Sequence, residues 1–245
     1  MEIKIDNANY WKDCVDAIHS IIDEGEFNIS KDGISLKAMD ESGISMVSFF
    51  MPSKMFSKYD LDKEMQIGIN ITNLSKIFNN KKDEQLTIKY NGGKISFELK
   101  SQSSRKRYIF SPIDIKTTGG KELNIDFDSH AEIKGDSLKA ILKDASSISA
   151  RTVRFDIDKD KFIMTADTDI GQLEEECINN TDFKLHSEKA VSSSFSLEFL
   201  ARIVGSCPSD INMNLSLKTG APIKIDYDIS DAKFIFHLAP YMPEE

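Results

Sequence analysis

Apolar and polar positions along this chain follow two periods, and the switches between them mark out its elements. The first residues alternate, with Ile3 and Ile5 on one side, as a half-buried strand does. Trp11, Cys14, Val15, Ile18 and Ile21 then recur at the spacing of an amphipathic helix. "FNISKDGISLKA", from Phe27, reads as strand, polar turn and strand. In "KAMDESGISMVSFFMP", residues 37 to 52, Asp40-Glu41-Ser42-Gly43 makes a second turn, and Ile44, Met46 and Phe49 lie on the strand that follows. Leu74, Ile77 and Phe78 predict a second helix, and "GKISFEL" from Gly93 and "YIF" from Tyr108 predict further strands.

The series then recurs. At an offset of 128, Phe27 meets Phe155, Ile29 meets Ile157, and Ile34, Leu36 and Ala38 meet Phe162, Met164 and Ala166 in "FDIDKDKFIMTA". The first helix is answered by Leu138, Ile141, Leu142, Ala145 and Ile148, and the second by Leu200, Ile203 and Val204. "APIKIDY" from Ala221 and "FIF" from Phe234 close the second copy. Five matched segments in one order define an internal repeat. Each copy predicts two helices on an antiparallel sheet, a two-layer α+β unit. The expected organisation is a first domain over 1–113, a connector over 114–129 broken by Gly119-Gly120, and a second domain over 130–245. The connector's Leu123-Ile125-Phe127 alternation predicts a strand at its far end.

Composition narrows the class. Hydrophobic residues at 40% and charged residues at 29% exclude a disordered chain. No apolar run approaches the roughly 18 residues that span a bilayer, and the N-terminus carries no signal-peptide core, so the expected location is cytosol or nucleus. Cys14, Cys177 and Cys207 are odd in number and widely spaced, which fits buried reduced thiols better than a disulfide framework or zinc site. A net charge of −9 argues against a uniformly basic nucleic-acid binder but leaves local lysine clusters open.

Catalytic patterns are missing: the sequence holds no GxGxxG, P-loop, GxSxG or HExxH. His19, His130, His186 and His237 are scattered. Glu174, Glu175 and Glu176 sit on a predicted strand, where neighbours point to opposite faces and cannot converge on one ion. Asp40 and Glu41 have no partner base. Neither a metal nor a cofactor is indicated, and the chain does not read as an enzyme.

Two surfaces carry more. The outward helix faces present Lys12, Asp16, His19 and Asp23, then Lys76 with Lys81 and Lys82 beyond it, then Lys139 and Lys143, and finally Glu198 and Arg202, spaced to pair. Pooled on one side, their lysines suit a phosphate backbone; each face also suits plain solvent. "SSRKRYIF" places Arg105, Lys106 and Arg107 ahead of the strand that holds Tyr108, against the glutamate triplet of the other half. A basic and an acidic edge permit head-to-tail pairing of copies, as a ring or a filament.

Three blocks, "KAMDESGISMVSFFMP", "GINITNLSKIF" and "APIKIDYDISDAKFIFHLAP", resemble the proliferating cell nuclear antigen (PCNA) family of DNA sliding clamps, and the likeness runs through essentially the whole chain. The resemblance implies a non-enzymatic ring of three two-domain subunits, helices lining a hole around duplex DNA and sheets outside. It implies a processivity factor for replication and repair that an ATP-driven loader of the replication factor C type places on DNA. Clients (DNA polymerase, flap endonuclease, DNA ligase) would insert PIP-box peptides. Their groove would use Met39, Ile44 and Met46, the connector from Lys121 with Leu123 and Ile125, and Pro222, His237, Leu238, Ala239 and Pro240. The residues Lys12, His19, Lys76, Lys81, Lys82, Lys139, Lys143 and Arg202 would face DNA. Arg105, Lys106, Arg107 and Tyr108 would meet Glu174, Glu175 and Glu176 between subunits. Two departures stand out: Gly43 replaces a frequent basic or imidazole side chain, and Asp16 and Glu198 make the helices less basic, so loose, salt-sensitive DNA contact is expected. The resemblance favours an archaeal cytoplasmic nucleoid, or the nucleus in a eukaryote. A homotrimer, one subunit of a heterotrimer and, remotely, a carboxylate-dependent hydrolase are the three readings carried forward.

Overall fold

The element order repeats as the apolar pattern does. The computed structural model describes residues 1–78, 84–115 and 123–242. The first series is β1 (Glu2–Ile5), α1 (Ala8–His19), β2 (Glu24–Ile29), β3 (Gly33–Met39), β4 (Ser45–Pro52), β5 (Lys58–Asp60), β6 (Met65–Asn70), α2 (Ile71–Ile77), β7 (Gln85–Asn91), β8 (Lys94–Lys100) and β9 (Arg105–Phe110). The second is β10 (Ser129–Lys134), α3 (Gly135–Ser147), β11 (Thr152–Asp158), β12 (Lys161–Thr168), β13 (Gly171–Cys177), β14 (Phe183–Ser187), β15 (Val191–Ser196), α4 (Leu197–Gly205), β16 (Asn212–Leu217), β17 (Ile223–Ile229) and β18 (Ala232–Leu238). Each element of the first series has its counterpart at the same place in the second.

The chain forms two compact units: Met1–Glu41 with Val47–Gly120 and Asp228–Phe234, and Ser42–Met46 with Lys121–Tyr227 and Ile235–Glu245. In the first, strands run in the orders β5-β1-β7-β8-β9 and β6-β2-β3-β4. In the second the orders are β14-β10-β16-β17 and β15-β11-β12-β13, the same permutation. β4 and β18 each divide between the units. Within the first, Phe234 lies 5.0 Å from Phe49; within the second, the Ala239 N–H donates to the Ile44 carbonyl at 2.9 Å.

Helices cover one face of each unit because their apolar stripes require it. Trp11, Cys14, Val15 and Ile18 of α1 are buried, as are Leu138, Ile141, Leu142 and Ala145 of α3. The helix starts are fixed by bonds that also repeat. The Ala8 N–H donates to the Glu84 carbonyl at 2.8 Å, and Gly135 N–H to Ile211 at 2.8 Å. Ile71 N–H donates to Asp23 at 2.7 Å, and Leu197 N–H to Arg151 at 3.0 Å. These donors have no partner inside their own helices, so each loop carbonyl satisfies one. Asn7 and Asn70 add side-chain caps to α1 and α2, accepting from Asn9 and Asn73.

Two local features differ from the sequence reading. Residues 123–127 form no strand; Asp128 N–H bonds the Leu217 carbonyl and Lys218 Nζ bonds the Asp126 carbonyl, which tethers this stretch by single bonds and not by a ladder. The short strands β5 and β14 were not visible as separate patterns. Just before the expected connector, Ile113 N–H donates to the Gly68 carbonyl. A Cβ on Gly68 would come within 2.1 Å of the Ile113 carbonyl oxygen, so only glycine admits this crossing.

Phe155, buried in contact with Phe162 and Phe195, anchors the second core. Phe155→Ala should cost about 3–5 kcal/mol and Asn70→Ala about 1 kcal/mol, read as shifts of the urea midpoint. An unchanged midpoint in Asn70→Ala would show that the Asn73 bond contributes nothing to α2.

Candidate functional site

Several of the cations expected on the helix faces have partners in their own chain. Lys12 Nζ lies 2.6 Å from Asp16 and 3.8 Å from Asp13, whose carboxyl burial pushes upward. His19 Nδ1 is 3.6 Å from Asp23. Lys139 Nζ lies 3.5 Å from Asp136 and donates to the Cys207 carbonyl at 2.6 Å. The spacing of Glu198 and Arg202 predicts a pair, but the guanidinium sits over the Phe199 ring, 5.6 Å from its centroid, in a cation–π contact one turn back. Lys76 and Lys143 are exposed. Lys81 and Lys82 lie outside the described residues. Lys12 of α1 and Lys139 of α3 are thus paired with acidic side chains one turn away, so these two helices hold less net positive charge than their lysine count implies.

The apolar surface expected to take peptides is best described within the second unit. Ile44 is 40% exposed and Leu123 is 40% exposed, while Ile125, Pro222, Ala239 and Pro240 are half-buried. Met46, Leu238 and His237 are buried, so they support this surface from beneath. Met39, at the end of β3, is half-buried in the first unit. Lys121 lies outside the described residues. Tyr241 and Met242, 50% and 75% exposed, extend the surface, and the sequence reading missed them. Their signal was two apolar residues directly after the last predicted strand. Tyr241 N–H donates to the Ser194 carbonyl at 2.7 Å, which fixes the tail against β15.

The charged strands are edges. β9 ends one strand order and β13 ends another. Arg105 and Arg107 share one face of β9 and fork onto Glu98 of β8, at 2.8 Å each. The Arg105 guanidinium, bonded to Glu98, is the main reason that carboxyl is held below its ordinary value. Lys106 lies on the opposite face, across from buried Leu99. On β13 the triplet splits as alternation requires: Glu174 and Glu176 are exposed, and Glu175 is half-buried opposite Met164. Burial, with Asp144 nearby, pushes the Glu175 carboxyl up. Cys177 is half-buried and Cys14 and Cys207 are buried; all three are free. Among the described residues, no group of three or more histidine, cysteine or acidic side chains could hold a metal ion.

This architecture has solved counterparts. Proliferating cellular nuclear antigen from Entamoeba histolytica superposes with a TM-score of 0.91 at 23% identity, over 98% of both chains. PCNA from Thermococcus kodakaraensis gives 0.91 at 18%, over 98% of this chain and 99% of that one. The repeated pair of α+β units is thus the DNA clamp fold. Residues 1–117 match the N-terminal domain model of proliferating cell nuclear antigen, and residues 123–242 match its C-terminal domain model. A "DNA polymerase sliding clamp" of Thermococcus gammatolerans is 28% identical over 99% of both chains, and one of Methanococcus vannielii is 30% identical over 96% of both. The chain belongs to the proliferating cell nuclear antigen family of DNA sliding clamps.

The Glu98 fork gives a pH signature. A carboxyl with a lowered folded value stabilises the fold above its unfolded pKa, and that contribution is lost as pH falls through the folded value. Amide protection factors along β9 should therefore drop below about pH 4. In Glu98→Gln they should start lower and stay flat over the same range; identical profiles in both proteins would remove Glu98 from the account.

Proposed function

We propose that this clamp acts as a closed ring of three identical chains around duplex DNA, holding replication and repair enzymes by short apolar peptides. Family membership makes the chain a DNA polymerase sliding clamp, a processivity factor of DNA replication. The family is non-catalytic, and the proposed role needs no reaction of the chain's own.

The observation that carries the ring is the state of the repeated edges. In the repeat β18 corresponds to β9 and β4 to β13. β18 and β4 neighbour each other, whereas β9 and β13 each end a strand order. A second copy that set its β13 beside β9 would repeat the β4–β18 arrangement and continue head to tail until the ring closed. Charge favours that pairing: Lys106 would meet Glu175 on the helix-covered side, and Arg105 and Arg107 would meet Glu174 and Glu176 on the other. Tyr108 would pack at the same seam.

Duplex DNA would pass the helix faces without base readout. Lys12, His19, Lys76, Lys139, Lys143 and Arg202 are the contacts available among the described residues, with Lys81 and Lys82 as further candidates. The carboxylates beside Lys12, His19 and Lys139 support retention by topology more than by adhesion. A loader that opens one seam would then be required. Clients such as polymerase, flap endonuclease and ligase would dock PIP-box peptides on Ile44, Leu123, Ile125, Pro222, Ala239 and Pro240, with Met39, Met46, His237 and Leu238 as support. Location on an archaeal nucleoid is part of the same proposal.

Light scattering should give a mass three times 27.6 kDa. A monomer persisting at high micromolar concentration would sink the homotrimer and favour a heterotrimer subunit. Lys106→Glu should shift the trimer towards monomer, with partial recovery in Lys106→Glu/Glu175→Lys; an intact trimer in both single reversals would place the seam elsewhere. A PIP-box peptide should bind in titration calorimetry and lose roughly tenfold, about 1.4 kcal/mol, in Ile44→Ser or Leu123→Ser. Unchanged affinity in both would move the groove.

A further inference from the structure

The sheet β14-β10-β16-β17 carries a polar depression of about 460 Å³ that the clamp role does not use. Its side chains fall in two rows. His186, His130, Ser216 and Lys224 are successive cross-strand neighbours, and Lys184, Glu132, Asn214 and Asp226 form the row beside them. His130 and His186 are directly opposed partners on antiparallel strands, and both are exposed. Side chains in that relation stand on the same face with Cβ atoms about 4.5–5.5 Å apart, a separation from which two imidazoles can reach one ion.

We infer that His130 and His186 form a two-imidazole chelate for a divalent first-row transition ion of the Zn²⁺ type. His130 is already oriented for this. Its Nδ1 lies 3.0 Å from Ser216 Oγ, and the ring meets Phe127 edge-on at 6.5 Å. In the tautomer whose Nδ1–H donates to Ser216, Nε2 carries the lone pair and points away from that bond, the arrangement in which metal-bound histidines are held by outer partners. The lysines of the two rows are compensated: Lys184 lies 3.1 Å from Glu132 and Lys224 2.9 Å from Asp226. A dication therefore meets no uncompensated lysine among these neighbours. No third protein ligand completes a cage among the described residues. Water fills the remaining positions, and imidazole ligation selects Zn²⁺ or Cu²⁺ over Mg²⁺ or Ca²⁺. Because β14 ends its strand order, the ion would also fasten an edge strand to its neighbour.

Titration calorimetry of the full chain with ZnCl₂ is expected to give one ion per chain. His186→Ala and His130→Ala should each lose at least tenfold in affinity, and Ser216→Ala roughly tenfold through a misoriented ring. Zn²⁺ should raise the melting temperature of the unaltered protein and not of the double histidine variant, since a ligand of the native state stabilises it. Both histidines are exposed, so their removal leaves the fold in place. No heat at millimolar Zn²⁺, or undiminished binding in the double variant, overturns the site. Loss of binding in Cys177→Ser with both histidines intact overturns it equally, by moving the ion to the thiol.

Discussion

An antiparallel sheet with one apolar face must have that face covered, and this requirement organises the whole chain. Two short helices laid together meet it, and their starts are held by loop carbonyls that accept the donors a helix cannot satisfy internally. Ala8 with Glu84 and Gly135 with Ile211 are the same bond made twice, as are Ile71 with Asp23 and Leu197 with Arg151. The apolar stripes of α1 and α3 were therefore free to change residue by residue while these anchors kept their place. Leu142 and Val15 differ, but each is buried at the corresponding position.

Once the covered faces are fixed, what differs between the copies is what the edges and outer surfaces carry. β4 and β13 occupy the same place in their units. The first bears Met46, Val47 and Phe49 and is buried along most of its length, whereas the second bears Glu174 to Glu176 and is largely exposed. The same frame thus gives one strand a neighbour and leaves its twin as a border. The helices show a comparable restraint. Lys12 and Lys139 lie within 4 Å of carboxylates one turn away, so a count of basic residues overstates the field they project.

Most of the architecture was readable because helical and strand periods survive when side chains change. The repeat at Phe27 and Phe155 and the stripes of the four helices needed nothing beyond spacing. What escaped was whatever depends on partners distant in the chain. Glu98 could not be seen to lie beneath Arg107 until β8 paired with β9. Arg202 looked paired with Glu198 because spacing cannot weigh a neighbouring ring against a carboxylate. That Met46 and Leu238 are buried beneath their neighbours was not legible either, because alternation distinguishes two faces of a strand but not which of them is covered. Leu123, Ile125 and Phe127 alternate like a strand, yet no ladder forms, since strand formation needs a partner as well as a pattern.

The two charged borders also decide what this chain cannot do. Sheet edges invite any strand to extend them, and identical edges are the commonest strangers in a concentrated solution. Two copies of β9 laid side by side would bring Arg105, Lys106 and Arg107 against their own likeness, and two copies of β13 would do the same with Glu174, Glu175 and Glu176. Like charges on adjacent strands repel, so symmetrical zipping is suppressed at both borders. The open edges thereby protect the protein against runaway sheet growth, with the same side chains that the proposed head-to-tail ring would pair with their opposites.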